Sequence, residues 1–387
     1  MNQIKLIINQ NIRKFGMIIA LVGIALLFQI ITSGILLTPL NVTNIIMQNS
    51  YIIILGIGMA LVIITGEIDL SVGSVAAFIG AISAMLMINY NIPVLVAIAL
   101  SLLVGAIIGA WHGFWVAYVN VPAFIVTLAG MLLFRGLTLI VLGGKTLAPF
   151  PDGFRTISSD FLPDYFSNGN VHLLTMIIGI AAIVLYILNE CRLRKNESKY
   201  NLNQTTFTTF MVKNILISVI IFIFTYILAI YAGIPYVLLI LLALIIGYSF
   251  FMNKTVNGRH IYAVGGNKSA AQLSGIKTRK VTFWVFVNMG VLAALAGLVF
   301  AGRLNAATPQ AGELFELDAI AAAVIGGASL SGGVGTVAGA VIGALIMGIL
   351  NNGMSLMGVG IDWQQAVKGL VLLSAVAFDI INKNKAS

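Results

Sequence analysis

Long apolar runs, broken by short clusters of polar and charged residues, set the organisation of this chain. No Asp, Glu, Lys or Arg lies between Lys14 and Glu67, between Asp69 and Arg135, between Lys213 and Lys254, or between Asp318 and Asp362. A helix of ~20 predominantly apolar residues crosses the hydrocarbon core of a bilayer, so each interval holds one to three crossings. The runs predict about twelve segments, at 16–37, 45–64, 70–88, 93–119, 123–142, 171–188, 214–231, 235–251, 282–301, 319–331, 334–354 and 363–381. The expected fold is therefore all-α, a polytopic integral membrane helix bundle in one domain over 16–381, flanked by short ends at 1–15 and 382–387. Segment 319–331 is short for a crossing and could be a broken or re-entrant helix, but it counts as a crossing here, because a re-entrant helix would move the tail to the outer side.

Composition narrows the class. Of 387 residues, 60% are apolar and 9% charged, against roughly 45–50% and 25% in soluble domains. The formal charge of +9 raises nucleic acid as a partner, but the cations sit in loops between apolar runs, which is the signature of membrane topology. No nucleic-acid partner is expected. With the N-terminus on the cytoplasmic side, the basic loop 189–213 (Arg192, Arg194, Lys195, Lys199), the loop 253–281 (Lys254, Arg259, Lys268, Lys277, Arg279, Lys280) and the tail (Lys383, Lys385) all fall inside. Loop 143–170 and the carboxylates Asp152, Asp160, Asp164, Glu313, Glu316 and Asp362 then fall outside. The apolar run after Lys5, Arg13 and Lys14 is too long for a secretory h-region and lacks a small-residue cleavage pattern, so it reads as an uncleaved first helix. No extramembrane segment is long enough for an enzyme domain.

Several motifs mislead. Gly144-Lys145-Thr146 lacks the first glycine of a phosphate-binding loop, where Leu139 stands, and Gly333 to Ala338 matches a dinucleotide fingerprint without a preceding strand. His112, His172 and His260 are scattered, and Cys191 is the single cysteine, so neither a metal nor a cofactor is expected. Gly105, Gly109 and Gly113, and likewise Gly335, Gly339 and Gly343, recur every four residues and predict smooth faces for close helix packing.

Polar residues inside apolar runs are the candidates for a solute path, because charge in the bilayer is costly and faces a bundle interior, a cavity or a partner. Arg135, about twelve residues into its run, reads as a buried partner of a carboxylate or as a lining group. Glu67-Ile68-Asp69 and Glu316-Leu317-Asp318 each precede small residues and can place carboxylates at a helix N-terminus. Capping is one reading and solute contact the other. Their opposite sides hint at an inverted repeat. Asn305, Gln310, Asn351, Asn352, Gln364 and Gln365 offer further hydrogen-bonding groups near Asp318. Lys368, six residues beyond Asp362, reads as a snorkelling side chain or a local ion pair.

In loop 253–281, Asn267 can cap a short helix through Gln272 and Leu273, and Gly275 suits its end. At this point the chain resembles the monosaccharide permeases of bacterial ATP-binding-cassette importers, the ribose, xylose and galactose group. The resemblance rests on Gly66-Glu-Ile-Asp-Leu-Ser-Val-Gly-Ser-Val75, Val121-Pro-Ala-Phe-Ile-Val-Thr-Leu-Ala-Gly130, the loop Gly258 to Ile276, and Glu316 through Gly333. The extra segment from about Val171 to Ala232 is similar to the longer, xylose-type members.

The resemblance implies a non-catalytic permease subunit in the bacterial cell membrane, moving a monosaccharide. Its implied partners are a cytoplasmic ATPase, an extracytoplasmic sugar-binding protein and a second permease subunit, expected to be a second copy, with membrane lipid around them. It further implies that Asn267, Ser269, Ala270, Ala271 and Gly275 couple to the ATPase; Ser269 stands where the family pattern has Glu. Asp69, Arg135, Asn305, Asp318 and Trp363 are the expected path residues. The competing reading is a secondary transporter of a small polar solute, coupled to an ion gradient through Asp69, Arg135 or Asp318.

Overall fold

A computed structural model describes residues 12–166, 169, 171–199 and 206–386. The expectations placed on 1–11, including Lys5, on 200–205 of the basic loop and on Ser387 lie outside the described residues. Fifteen helices, α1 to α15, follow in chain order: Ile12–Ile31, Pro39–Ile64, Val72–Ala84 (prolonged by a π-turn, Met85–Asn89), Val94–Ala117, Ala123–Leu142, Asp152–Ser159, Leu173–Lys199, Phe207–Tyr231, Tyr236–Lys254, Val256–Gly266, Lys268–Leu273, Thr278–Leu304, Phe315–Ile325, Val337–Leu356 and Ile361–Ala386. Among the described residues nine helices are long and apolar enough to cross a membrane. Each of the twelve expected segments contains a helix, so the chain is an all-helical, multi-pass bundle.

The differences lie at helix ends and have local causes. The first helix stops at Ile31 rather than residue 37 because Ser33 (φ 53°) and Gly34 (φ 92°) turn the backbone left-handed. Helix α2 begins six residues earlier than expected, at Pro39, whose fixed φ and missing N–H suit a first helical turn. Segment 319–331 is a broken crossing: the chain passes from Asn305 at one end of the bundle to Gly333 beside Ile64 at the other, but only part of that path is helical. Helix α13 has 11 residues, ~16 Å at 1.5 Å each, about half a hydrocarbon core. Gly326 and Gly327 end it, and the chain reaches α14 through a glycine-rich turn in which Gly327, Gly332 and Gly333 have φ between 73° and 84°.

Helices α2 and α12 form the axis of the bundle. In α2, 83% of the most apolar stretch is buried, against 11% in α7. Helix α2 packs on α12, α13 and α14, while α12 packs on α2, α3 and α4. These are corresponding partners in two four-helix units, α2–α5 and α12–α15. The units run in opposite directions: Gly58 of α2 faces Met289 of α12, and Leu61, further along α2, shares a groove wall with the earlier residue Val285. Packing thus realises the inverted repeat hinted at by the two Glu-x-Asp clusters.

Close approach depends on glycine. A Cβ at Gly105 would lie 2.6 Å from the carbonyl oxygen of Gly290, and one at Gly113 would lie 2.9 Å from that of Phe283, while Gly109 meets the Phe286 carbonyl. Gly339 of α14 likewise faces Gly326, just past the end of α13, and Gly343 faces Ala322 of α13. Gly335 does not share that face. It precedes Thr336, whose hydroxyl caps α14 at Gly339 N, and its φ is 151°.

The α7–α8 hairpin flanks this assembly. Its two helices meet where Gly179 faces Thr225, and its entry and exit are adjacent, since His172 N donates to Ala229 O at 2.9 Å.

Candidate functional site

Helices α3 and α13 begin inside the bundle, next to one another. A Cβ at Gly73, in the first turn of α3, would lie 2.5 Å from Glu316 Oε2 and 3.2 Å from Phe315 Cβ, and it would overlap the Gly312 carbonyl. From this meeting point the helices diverge. Helix α3 runs beside α12 toward its C-terminal end, with Gly80 against Ala301, and α13 runs along α2, with Ala322 against Gly56. Tyr51, half-way along α2, stacks on Phe315 with ring centroids 3.9 Å apart. Two helix N-termini, each with unpaired N–H groups and positive dipole ends, therefore converge in the interior.

Carboxylates occupy that junction. Asp69 is buried, and its Oδ1 accepts from Ser71 N at 2.8 Å and from the Ser71 hydroxyl at 2.6 Å, closing the turn that leads into α3. Glu316 is buried beside Gly73. Asp318 is 3% exposed and holds Lys368 Nζ at 3.0 Å from Oδ1, while Tyr51 OH donates to Oδ2 at 3.4 Å. Lys368 is thus neither snorkelling nor paired with Asp362. Six residues separate those two on α15, and side chains meet along a helix at spacings of three and four.

Arg135 has carbonyl rather than carboxylate partners: Nη1 donates to Ala311 O at 2.8 Å and to Pro309 O at 3.3 Å, fixing the segment that enters α13. Asn305 lies apart from the junction. It ends α12 at φ 53° and its Oδ1 accepts from Phe150 N at 2.9 Å. Trp363, in the first turn of α15, is 72% exposed on the single chain. The junction therefore gathers Asp69, Arg135 and Asp318 and leaves Asn305 and Trp363 aside. Tyr51 and Lys368 were missed as partners because they are 267 and 50 residues from Asp318. Asn352, another expected polar group, exchanges two hydrogen bonds with Asn41, at 2.9 and 3.0 Å.

At the opposite end from Asn305, α10 and α11 form a compact knob. Asn267 Oδ1 accepts from Ala270 N at 2.9 Å and caps α11, Ala271 is buried, and Gly275 follows at φ 85°. Leu273 projects from it, 90% exposed. The knob is fastened to the bundle through backbone. Any side chain at Gly265 would collide with the Ile64 carbonyl, Gly333 N donates to that same oxygen at 2.8 Å, and Tyr262 OH donates to Gly335 O at 2.8 Å. Lys268, the first residue of α11, lies 3.9 Å from Glu67 in the turn feeding α3. Burial pushes the Glu67 carboxyl up from its ordinary range, and the Lys268 ammonium partly offsets this.

Among the described residues no group of three or more His, Cys, Asp or Glu side chains could hold a metal ion.

Comparison with known proteins places this architecture. Residues 41–376 match the family described as branched-chain amino acid transport system / permease component. The chain is 42% identical over 376 residues to the xylose transport system permease protein XylH of Escherichia coli, covering 97% of this chain and 94% of that protein. Identity to XylH of Haemophilus influenzae is also 42%, over 375 residues, with 97% and 98% covered. To the ribose import permease protein RbsC of Escherichia coli it is 37% over 339 residues, covering 88% and 85%. No solved structure matches the chain.

Proposed function

Because this chain belongs to the branched-chain amino acid transport system / permease component family, we propose that it is the membrane subunit of an ATP-driven importer that moves a monosaccharide of the xylose class. The α10–α11 knob carries the proposal. It offers a capped, rigid helix and an exposed Leu273 to a soluble partner, and its Gly265 and Lys268 contacts lead to the turns feeding α13's far end and α3's start. A cytoplasmic ATPase seated on α11 would move Ile64, Gly333 and Glu67 together. The α3–α13 junction would then change its access between the two membrane faces, a small shift amplified by packed helices.

Sugar import of this kind requires delivery by an extracytoplasmic binding protein and a path completed by a second subunit, which we take to be a second copy of this chain. The knob end, with the N-terminus and the tail, faces the cytoplasm. Asp69, Arg135 and Asp318 then stand beside the path; their partners within the chain support a role in holding α3, α13 and α15 rather than in exchanging ions.

Substitution of Gly275 by Leu tests the proposal. No atom lies within 4 Å of a Cβ there, but φ 85° strains any side chain. The expected outcome is a chain that inserts and elutes normally while ATPase co-purification and sugar uptake fall together, by about tenfold or more if the strain of ~1–2 kcal/mol unseats α11. Undiminished ATPase-dependent uptake in this variant would overturn the coupling assignment. Uptake by the purified chain alone, driven by an ion gradient in liposomes, would overturn the importer reading.

A further inference from the structure

A groove of about 810 Å³ opens between α9 and α12 at the knob end of the bundle, with Asn257, His260 and Ile261 of the knob helix α10 also in its lining, and it is separate from the α3–α13 junction. Its walls are apolar over most of their length, with Gly247 and Phe251 on α9 and Val281 and Trp284 on α12. The Tyr248–Asn288 hydrogen bond crosses its deep end, and Lys277 and Lys280 stand at its mouth. From Lys280 to Asn288 is eight residues, about 12 Å along a helix, against about 15 Å for the apolar half of a bilayer. The groove is one leaflet deep.

Its height in the membrane is marked by aromatic rings. Trp284 is 56% exposed and touches Phe283, which in turn meets Tyr118 at the end of α4, with centroids 5.6 and 5.7 Å apart. Trp and Tyr collect at the level of lipid headgroups, so Lys280 and Lys277, one and two turns beyond Trp284, lie in the phosphate layer. Neither lysine has an acidic neighbour on the helices that form the groove, because no Asp or Glu occurs between Glu197 and Glu313. Among the described residues neither makes an ion pair. A wall apolar for one leaflet, ending in two unpaired cations at headgroup height, matches a single kind of occupant.

We propose that this groove is a binding site for an anionic phospholipid of the leaflet on the knob side, its acyl chains lying between α9 and α12 and its phosphate held by Lys277 and Lys280. Gly275 also lines the mouth, so the headgroup would rest against the end of the α11 loop. The site requires only that the chain spans a membrane and does not depend on the transported solute.

Native mass spectrometry of the full chain in mild detergent tests this, with phosphatidylglycerol and phosphatidylcholine of identical acyl chains as probes. Wild-type chain should retain one phosphatidylglycerol and prefer it by about tenfold or more, since each lysine near the surface contributes to anionic lipid binding. The double variant Lys277→Gln/Lys280→Gln should bring the two lipids within about twofold of each other. Gly247→Trp should lose both, because a Cβ at Gly247 meets nothing within 4 Å and the indole would fill the groove without displacing a helix. Gly136→Trp, at an equally open position on α5, should behave as wild type, and monodisperse elution confirms that each variant is folded. Equal retention of the two lipids by wild-type chain, or undiminished phosphatidylglycerol on Gly247→Trp, would overturn the site. Complete displacement by millimolar glycerol phosphate would assign the lysines to a soluble phosphate instead. A dimer that survives delipidation and dissociates on Gly247→Trp would assign the groove to a second copy, and either result overturns the lipid proposal.

Discussion

Asp318 illustrates how a charge is kept inside this bundle. Its carboxylate is 4% exposed and Lys368 22%, with 3.0 Å between charged atoms, so removing one partner leaves the other desolvated and unpaired. Lys368→Gln should cost about 3–5 kcal/mol, read as a lower melting temperature in detergent, and the double variant Asp318→Asn/Lys368→Gln should recover most of the loss. Asp164 behaves differently because it lies in the loop before α7, largely covered but ringed by N–H donors. Desolvation alone would raise its pKa, but hydrogen bonds from Phe166, Leu173 and Leu174 N–H groups, with His172 nearby, outweigh that and hold it below the ordinary value of 3.8. A depressed pKa stabilises the folded state fully above the unfolded value, and that contribution is lost as pH falls through the folded one. The start of α7 should therefore fray only below about pH 4, measurable as amide exchange at Leu173 and Leu174, and Asp164→Asn should show the frayed exchange already at pH 7. At this scale the chain was legible wherever partners are close in sequence. Asn267 capping three residues ahead and Gly275 turning after Leu273 follow from local chemistry. The Lys368–Asp318 and Lys268–Glu67 pairs, bridging 50 and 201 residues, depend on helix packing that no local pattern encodes.

Helix contacts depend on side-chain volume more than on charge. Gly109 lies against the α12 backbone, with Val287 Cα 2.8 Å from where its Cβ would be. Gly109→Leu should push α4 off the axial helix α12 and cost about 3 kcal/mol or more. Gly179→Leu should open only the α7–α8 hairpin, where Thr225 stands nearest, leaving the melting temperature of the rest unchanged; comparing the two variants by thermal unfolding checks the distinction. Apolar run length located the long helices, and four-residue glycine spacing located the α4 face. It misplaced Gly335, because the same spacing continues past the Thr336 cap into the turn before α14. Helix α6 was not foreseen. Its eight residues sit in a polar loop, and they hold together by burying Phe154 and Ser158 against Gly302 of α12, a contact visible only after folding.

The whole molecule consists of an inverted pair of four-helix units flanked by the α7–α8 hairpin. Residues 172 and 229 are already hydrogen-bonded across the hairpin's base, so replacing residues 173–227 by a short flexible linker should leave the α2–α5 and α12–α15 assembly folded. Monodisperse elution and retained ATPase association would confirm it; aggregation would show that α8's contact with α2 is required. The repeat itself was only faintly legible, since two Glu-x-Asp clusters are little to align, while the reciprocal packing of α2 and α12 is evident in three dimensions. The joint between knob and bundle has a mechanical consequence. Gly265, Ile64 and Gly333 meet backbone to backbone, with no rotatable side chain between them. Such a joint has almost no slack, because main chain held by hydrogen bonds cannot absorb a displacement as a layer of leucines could. The knob and the adjoining ends of α2 and α13 are therefore built as one strut, and a displacement applied at α11 would reach them undamped.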